Sequence, residues 1–129
     1  MQSHFFVGII IFNLYLMEIL KLIIVSANLD QIVNYLVDHL PFDYENHSAE
    51  MSVLAQEEYH LRSTSTQLNM IVAKRKGDSI LLDVIGGAGG SGLLNCDFGT
   101  EKGYLKKVSE VLECYGDEFG ISVLELENE

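Results

Sequence analysis

Residues 64–85 read TSTQLNMIVAKRKGDSILLDVI, and their reading decides the fold. Leu68, Met70 and Val72 alternate with Gln67 and Asn69. A period of two is that of a strand, with the apolar set on one face and the polar set on the other. Lys76-Gly77-Asp78 is a hairpin turn signal. Ile80, Leu82 and Val84 then resume the alternation, while Leu81, Asp83 and Ile85 fill the opposite face. Apolar residues on both faces predict a central strand covered partly on each side. A tight hairpin makes the pair antiparallel, since parallel strands need a long crossover.

Upstream, residues 48–61 read as a further strand, with Met51, Val53 and Ala55 alternating against Glu50, Ser52 and Gln56; Leu54 breaks the pattern. Before it, Asn28 is a good N-cap, and Gln31 completes a capping box. Leu29, Ile32, Val33, Leu36, Val37 and Leu40 follow with one-face helical spacing, and Pro41 stops the helix after His39. Residues 18–26 read as a first, buried strand. Downstream, residues 93–98 suit a short strand, and Thr100 can cap a second helix. Its stripe is Tyr104, Leu105, Val108, Val111, Leu112 and Tyr115, with Gly116 placed to end it and Glu101 at its positive end. Residues 121–127 suit an edge strand. The expected fold is α+β: an antiparallel sheet of four to five strands with two amphipathic helices packed on one face. Residues 17–129 form a single domain, preceded by an apolar extension over residues 1–16.

The chain has 129 residues and a formal net charge of −11. Its pI is near 4.6. One ordinary core fits this length. An acidic surface cannot neutralise phosphate backbones, so nucleic acid is not an expected partner. The same charge disfavours anionic lipid. Cys96 and Cys114 are too few for a disulfide framework and read as reduced, largely buried thiols in a cytoplasmic protein. Residues 5–25 are strongly apolar but interrupted by Asn13, Glu18 and Lys21. The favoured reading is a strand beginning at Met17; a membrane-associated segment and a signal peptide are the alternatives.

The candidate ligand-binding residues are Gly86, Gly87, Gly89, Gly90, Ser91 and Gly92, together with Arg62. Consecutive amides in a glycine-rich loop can form an anion nest, and Arg62 opens the hydroxyl-rich run Arg62-Ser63-Thr64-Ser65-Thr66. The run Gly87-Ala88-Gly89-Gly90-Ser91-Gly92 fits the dinucleotide fingerprint by letter. That fingerprint requires a helix to open on it within a βαβ unit, and here a hairpin precedes and residues 94–99 intervene. No Gly-Lys-Ser/Thr follows, so a Walker loop is excluded. The bland alternative is a bulged connection between strands. No catalytic residue, cofactor or metal is assigned: His39, His47, Asp43 and Glu45 read as a polar connecting loop. Glu57 and His60 share an E-x-x-H spacing that a strand sends to opposite faces.

Arg62, the alternation through Leu68, Met70 and Val72, the glycine run after Val84-Ile85, and Asp97-Phe98-Gly99-Thr100-Glu101 before the last helix together carry a resemblance. The segment 59–112 resembles an uncharacterised bacterial family of small α+β proteins with a similar glycine-rich stretch and an aromatic-Gly-small-Glu sequence before that helix. The resemblance implies no activity and no catalytic residue. The leading expectation is therefore a non-catalytic binding or protein-interaction module, with surplus apolar surface near the N-terminus or on the sheet suited to a homodimer. The alternatives are a small-molecule or phosphate-binding protein built on the glycine run, and a membrane-associated protein held by its N-terminal segment.

Overall fold

A computed structural model describes residues 18–60, 65–88 and 100–126. The predicted strand at residues 93–98, Cys96 and the extension 1–16 lie outside the described residues. The elements run β1 (Glu18–Ile24), α1 (Leu29–His39), β2 (Tyr44–His47), β3 (Met51–His60), β4 (Ser65–Lys76), β5 (Ser79–Ala88), α2 (Thr100–Phe119) and β6 (Val123–Leu126). The fold is α+β, and its antiparallel sheet has six strands in the order β2-β3-β4-β5-β1-β6. This is more than the four to five expected. The addition is β2, read from the sequence as a polar loop, because all four of its residues are exposed and carry no apolar period.

Both helices cover one face. Leu22 and Ile24 of β1, Leu54 of β3, Ile71 and Ala73 of β4, and Ile80, Leu82 and Val84 of β5 meet the apolar stripes of α1 and α2 there. Antiparallel partners share a face, and Leu54↔Ile71 and Ile71↔Val84 carry this row across the sheet. On β3 and β4 the expected faces are inverted. Leu54, which breaks the local alternation, points into the core, and so do Ser52, Gln67 and Asn69. Leu68, Met70 and Val72 face the other way. A strand with apolar residues on both sides leaves the choice of buried face to whichever side the helices cover.

Asn28 caps α1, its side-chain oxygen accepting the Gln31 N–H at 3.0 Å. The reciprocal half of the capping box is not made by Gln31. Its Oε1 instead accepts the Tyr115 hydroxyl at 2.8 Å and links the two helices. Helix α2 begins at Thr100 and passes through Gly116 to end at Phe119; Gly120, with φ +66°, is the left-handed terminator expected at Gly116. Gly116 serves close approach instead. A Cβ there would lie 2.6 Å from the Ile121 carbonyl oxygen, and the Ile121 N–H donates to the Gly116 carbonyl at 2.9 Å. Cys114 is exposed on α2, against the expectation of a buried thiol.

Candidate functional site

Gly86 and Gly87 close β5 and form a β-bulge. Leu68 pairs with Ala88 and Met70 with Ile85, so Asn69 alone opposes the two glycines. Gly87 has φ +84°, a conformation that favours a residue without Cβ. A bulge leaves a backbone group without a ladder partner. Asn69 supplies one, its Oδ1 accepting the Gly87 N–H at 3.2 Å. Because that N–H can only donate, the orientation of the amide is fixed. Asn69 Nδ2 then donates to Glu58 Oε1 at 2.9 Å, and Gln67 Nε2 donates to Asn69 Oδ1. Gly89, Gly90, Ser91, Gly92 and Arg62, the rest of the expected ligand site, lie outside the described residues.

Tyr104, in the second turn of α2, is 3% exposed. Its hydroxyl is buried and lacks a hydrogen-bond partner. Burial pushes its pKa far above the usual 10.0, and the Glu58 carboxylate adds to the rise. Glu58 thus joins Asn69 to the surroundings of Tyr104, and the charge it brings is negative. The described part of this region holds amides, a hydroxyl and a carboxylate, which offers little to a phosphate. The polar pattern of Gln67 and Asn69 was visible in the sequence, but their burial was not.

The second candidate is the sheet face opposite the helices. Cross-strand pairing arranges it in three rows. One runs Leu124–Ile23–Leu81–Lys74–Met51. The next runs Leu126–Lys21–Asp83–Val72–Val53. The third runs Ile19–Ile85–Met70–Ala55–Tyr44. Apart from Ala55, which is buried at 9% exposure, these residues lie outside the buried core, and among the described residues no helix packs on them. Tyr44, Met51, Leu124 and Leu126 are exposed large hydrophobics. In the middle row Lys21 Nζ meets Asp83 Oδ1 at 3.0 Å, with the side chains 44% and 30% exposed.

Elsewhere the surface is less promising. A shallow groove of about 400 Å³ beside α2 is lined by Leu20, Leu105, Lys106, Ser109, Glu110 and Glu113. Glu45 and Ser52 flank the imidazole of His47 at 3.0 and 2.9 Å on β2. Among the described residues no group of His, Cys, Asp and Glu could hold a metal ion. No described helix is long and apolar enough to cross a membrane. No family model matches the chain, and neither a curated protein nor a solved structure gives a significant match.

Proposed function

We propose that this chain is a non-catalytic protein-interaction module that binds through the open face of its sheet. The observation that carries this reading is the three-row apolar face left without a covering element among the described residues. The face is exposed at its margins, at Ile19, Tyr44, Met51, Leu124 and Leu126, and half-buried at its centre, and contiguous apolar surface left open to water marks interaction sites on stable proteins. The face is also a rigid platform, because its strands are the same ones that form the core on their other side.

The test is light scattering after size exclusion, on the full chain alone and in an extract of its own cells. Ile23→Glu and Val72→Lys place charges on the open face, while Lys107→Glu alters the exposed side of α2. Loss of association in the first two and retention in the third is the expected result. Association unchanged by the open-face variants, or a bare monomer in both settings, overturns the reading.

A second reading, a site for a small polar ligand at the glycine end of the sheet, is favoured by the unpartnered Tyr104 hydroxyl beside the Asn69 amide cluster. A thermal-shift screen of metabolites tests it. A ligand at about 100 times its dissociation constant stabilises the fold by roughly 2.7 kcal/mol, and Tyr104→Phe abolishes that shift.

A further inference from the structure

We infer that the occupant of the open sheet face is a second copy of this chain, joined about a two-fold axis that runs along the strands between Lys21 and Asp83. The inference rests on the interaction reading above and names its partner.

Charge selects the partner. The chain carries a formal net charge of −11, so two copies repel over most of their surfaces. The open face departs from that balance. On it lie the Lys21–Asp83 pair, then Lys74 and Lys76 of β4 and Glu57 of β3. Here two acidic molecules can meet without facing like charge.

Symmetry sets the geometry. In a face-to-face dimer the two-fold axis lies in the plane between the sheets. An axis perpendicular to the strands and centred on this row would set Lys21 against Lys21 of the second copy. An axis along the strands, passing between β1 and β5, sets each Lys21 against Asp83 of the other copy. That axis also keeps the strand directions of the two sheets aligned, one of the two common ways sheets pack. Most neighbours then match apolar with apolar, since Ile23 faces Leu81, Ile19 faces Ile85, and Val72 faces Leu126 across the axis, while Lys74 lays its aliphatic stem over Leu124. The surface is self-complementary, as an isologous interface requires.

The area suits a modest dimer. Four strands overlap, β6, β1, β5 and β4. At about 4.8 Å between strands and about 6.8 Å between rows, the footprint is on the order of 400 Å². Protruding side chains expose more area than their footprint, which brings the total near the lower bound of about 1,200 Å² for specific interfaces. Association is accordingly expected between micromolar and millimolar protein.

Sedimentation equilibrium of the full chain and its charge-reversal variants tests the pairing. Lys21→Asp and Asp83→Lys each place four like charges at the axis, and each is expected to stay monomeric where the unmodified chain is dimeric. An equal mixture of the two variants restores opposite charge across the axis and is expected to form a heterodimer. The double variant Lys21→Asp/Asp83→Lys is expected to dimerise again, which also excludes misfolding as the cause of the single-variant loss. An unmodified chain that stays monomeric throughout overturns the inference, as does a mixture that stays monomeric or single variants that dimerise normally. If Ile23→Glu abolishes binding in cell extract while the purified chain is a monomer, the face binds another protein, and only the second-copy inference falls. If Ile23→Glu changes nothing, the interaction reading falls as well.

Discussion

Asn69 Oδ1 accepts the backbone N–H of Gly87 across the bulge that Gly86 and Gly87 make in β5. Asn69 is fully buried, and the same amide binds Gln67 and Glu58. Removing it leaves buried donors without an acceptor, each costing about 1–3 kcal/mol. Asn69→Ala is expected to destabilise the fold by about 2–4 kcal/mol in urea denaturation. Asn69→Asp keeps the acceptor but sets a carboxylate against Glu58, so its loss is expected to be larger at neutral pH than at pH near 4. A pH-independent loss would show that repulsion between the new carboxylate and Glu58 is not its cause, and that the missing Nδ2 donor is.

Tyr104 presents the opposite case, a buried hydroxyl with no partner. Tyr104→Phe removes an unsatisfied group and keeps the ring, so it is expected to raise stability by about 1 kcal/mol. It also changes the alkaline limb. Burial raises the pKa of Tyr104 above 10.0 in the folded chain. Above pH 10 the unfolded chain releases this proton while the folded chain keeps it. Stability from Tyr104 is thus complete below pH 10 and falls as the pH rises, by up to about 1.4 kcal/mol per unit. Tyr115 is raised in the same direction by burial, so Tyr104→Phe should flatten the alkaline loss without abolishing it. Thermal melts between pH 9 and 11 measure both effects, and an unchanged alkaline slope would deny Tyr104 its part.

The helices were legible because each has one face covered by one sheet, and that produces a stripe of period 3.6 in the sequence. Leu29, Ile32, Val33 and Leu36 of α1 and Tyr104, Val108, Leu112 and Tyr115 of α2 are the residues buried. The hairpin of β4 and β5 was legible from its turn and alternation. Its orientation was not. Local alternation on β4 weighs Leu68, Met70 and Val72 against Gln67 and Asn69 and sends the amides to solvent. Their burial depends on Glu58 and Gly87, which are distant in sequence, and on helices that cover the side bearing Ile71 and Ala73. Of the glycine site, the bulge at Gly86 and Gly87 has a local cause. The acceptor that satisfies it comes from another strand, where no sequence pattern announces it.

Three glycines at the end of the chain separate conformational cost from close approach. Gly103 lies inside α2, and a Cβ there meets nothing within 4 Å. Gly103→Ala is expected to stabilise by roughly 0.5–1 kcal/mol through lower unfolded-state entropy. Gly116 also lies in α2, but its Cβ would meet the Ile121 carbonyl oxygen at 2.6 Å. Gly116→Ala is expected to lose about 1–3 kcal/mol as β6 is pushed from its place against β1. Gly120→Ala meets no atom but must adopt φ +66°, and a loss near 1 kcal/mol is expected. Thermal denaturation of the three single variants should rank them Gly103, Gly120, Gly116 from most to least stable. Equal effects at Gly103 and Gly116 would mean that the Ile121 contact yields freely.

The Lys21–Asp83 pair is half exposed in the single chain and contributes under about 1 kcal/mol there. Covered by another apolar face, the same pair loses its water. Apolar replacements then bind as well or better, because desolvation of the charges costs about as much as their attraction returns. Lys21→Met/Asp83→Leu is therefore expected to fold normally, by circular dichroism, and to associate at lower protein concentration than the unmodified chain. It also removes the charges that fix one alignment of the two sheets. Light scattering should show species larger than a dimer in the double variant, where the unmodified chain is expected to stop at the proposed two copies. A double variant that associates less than the unmodified chain would mean that the charges supply net attraction.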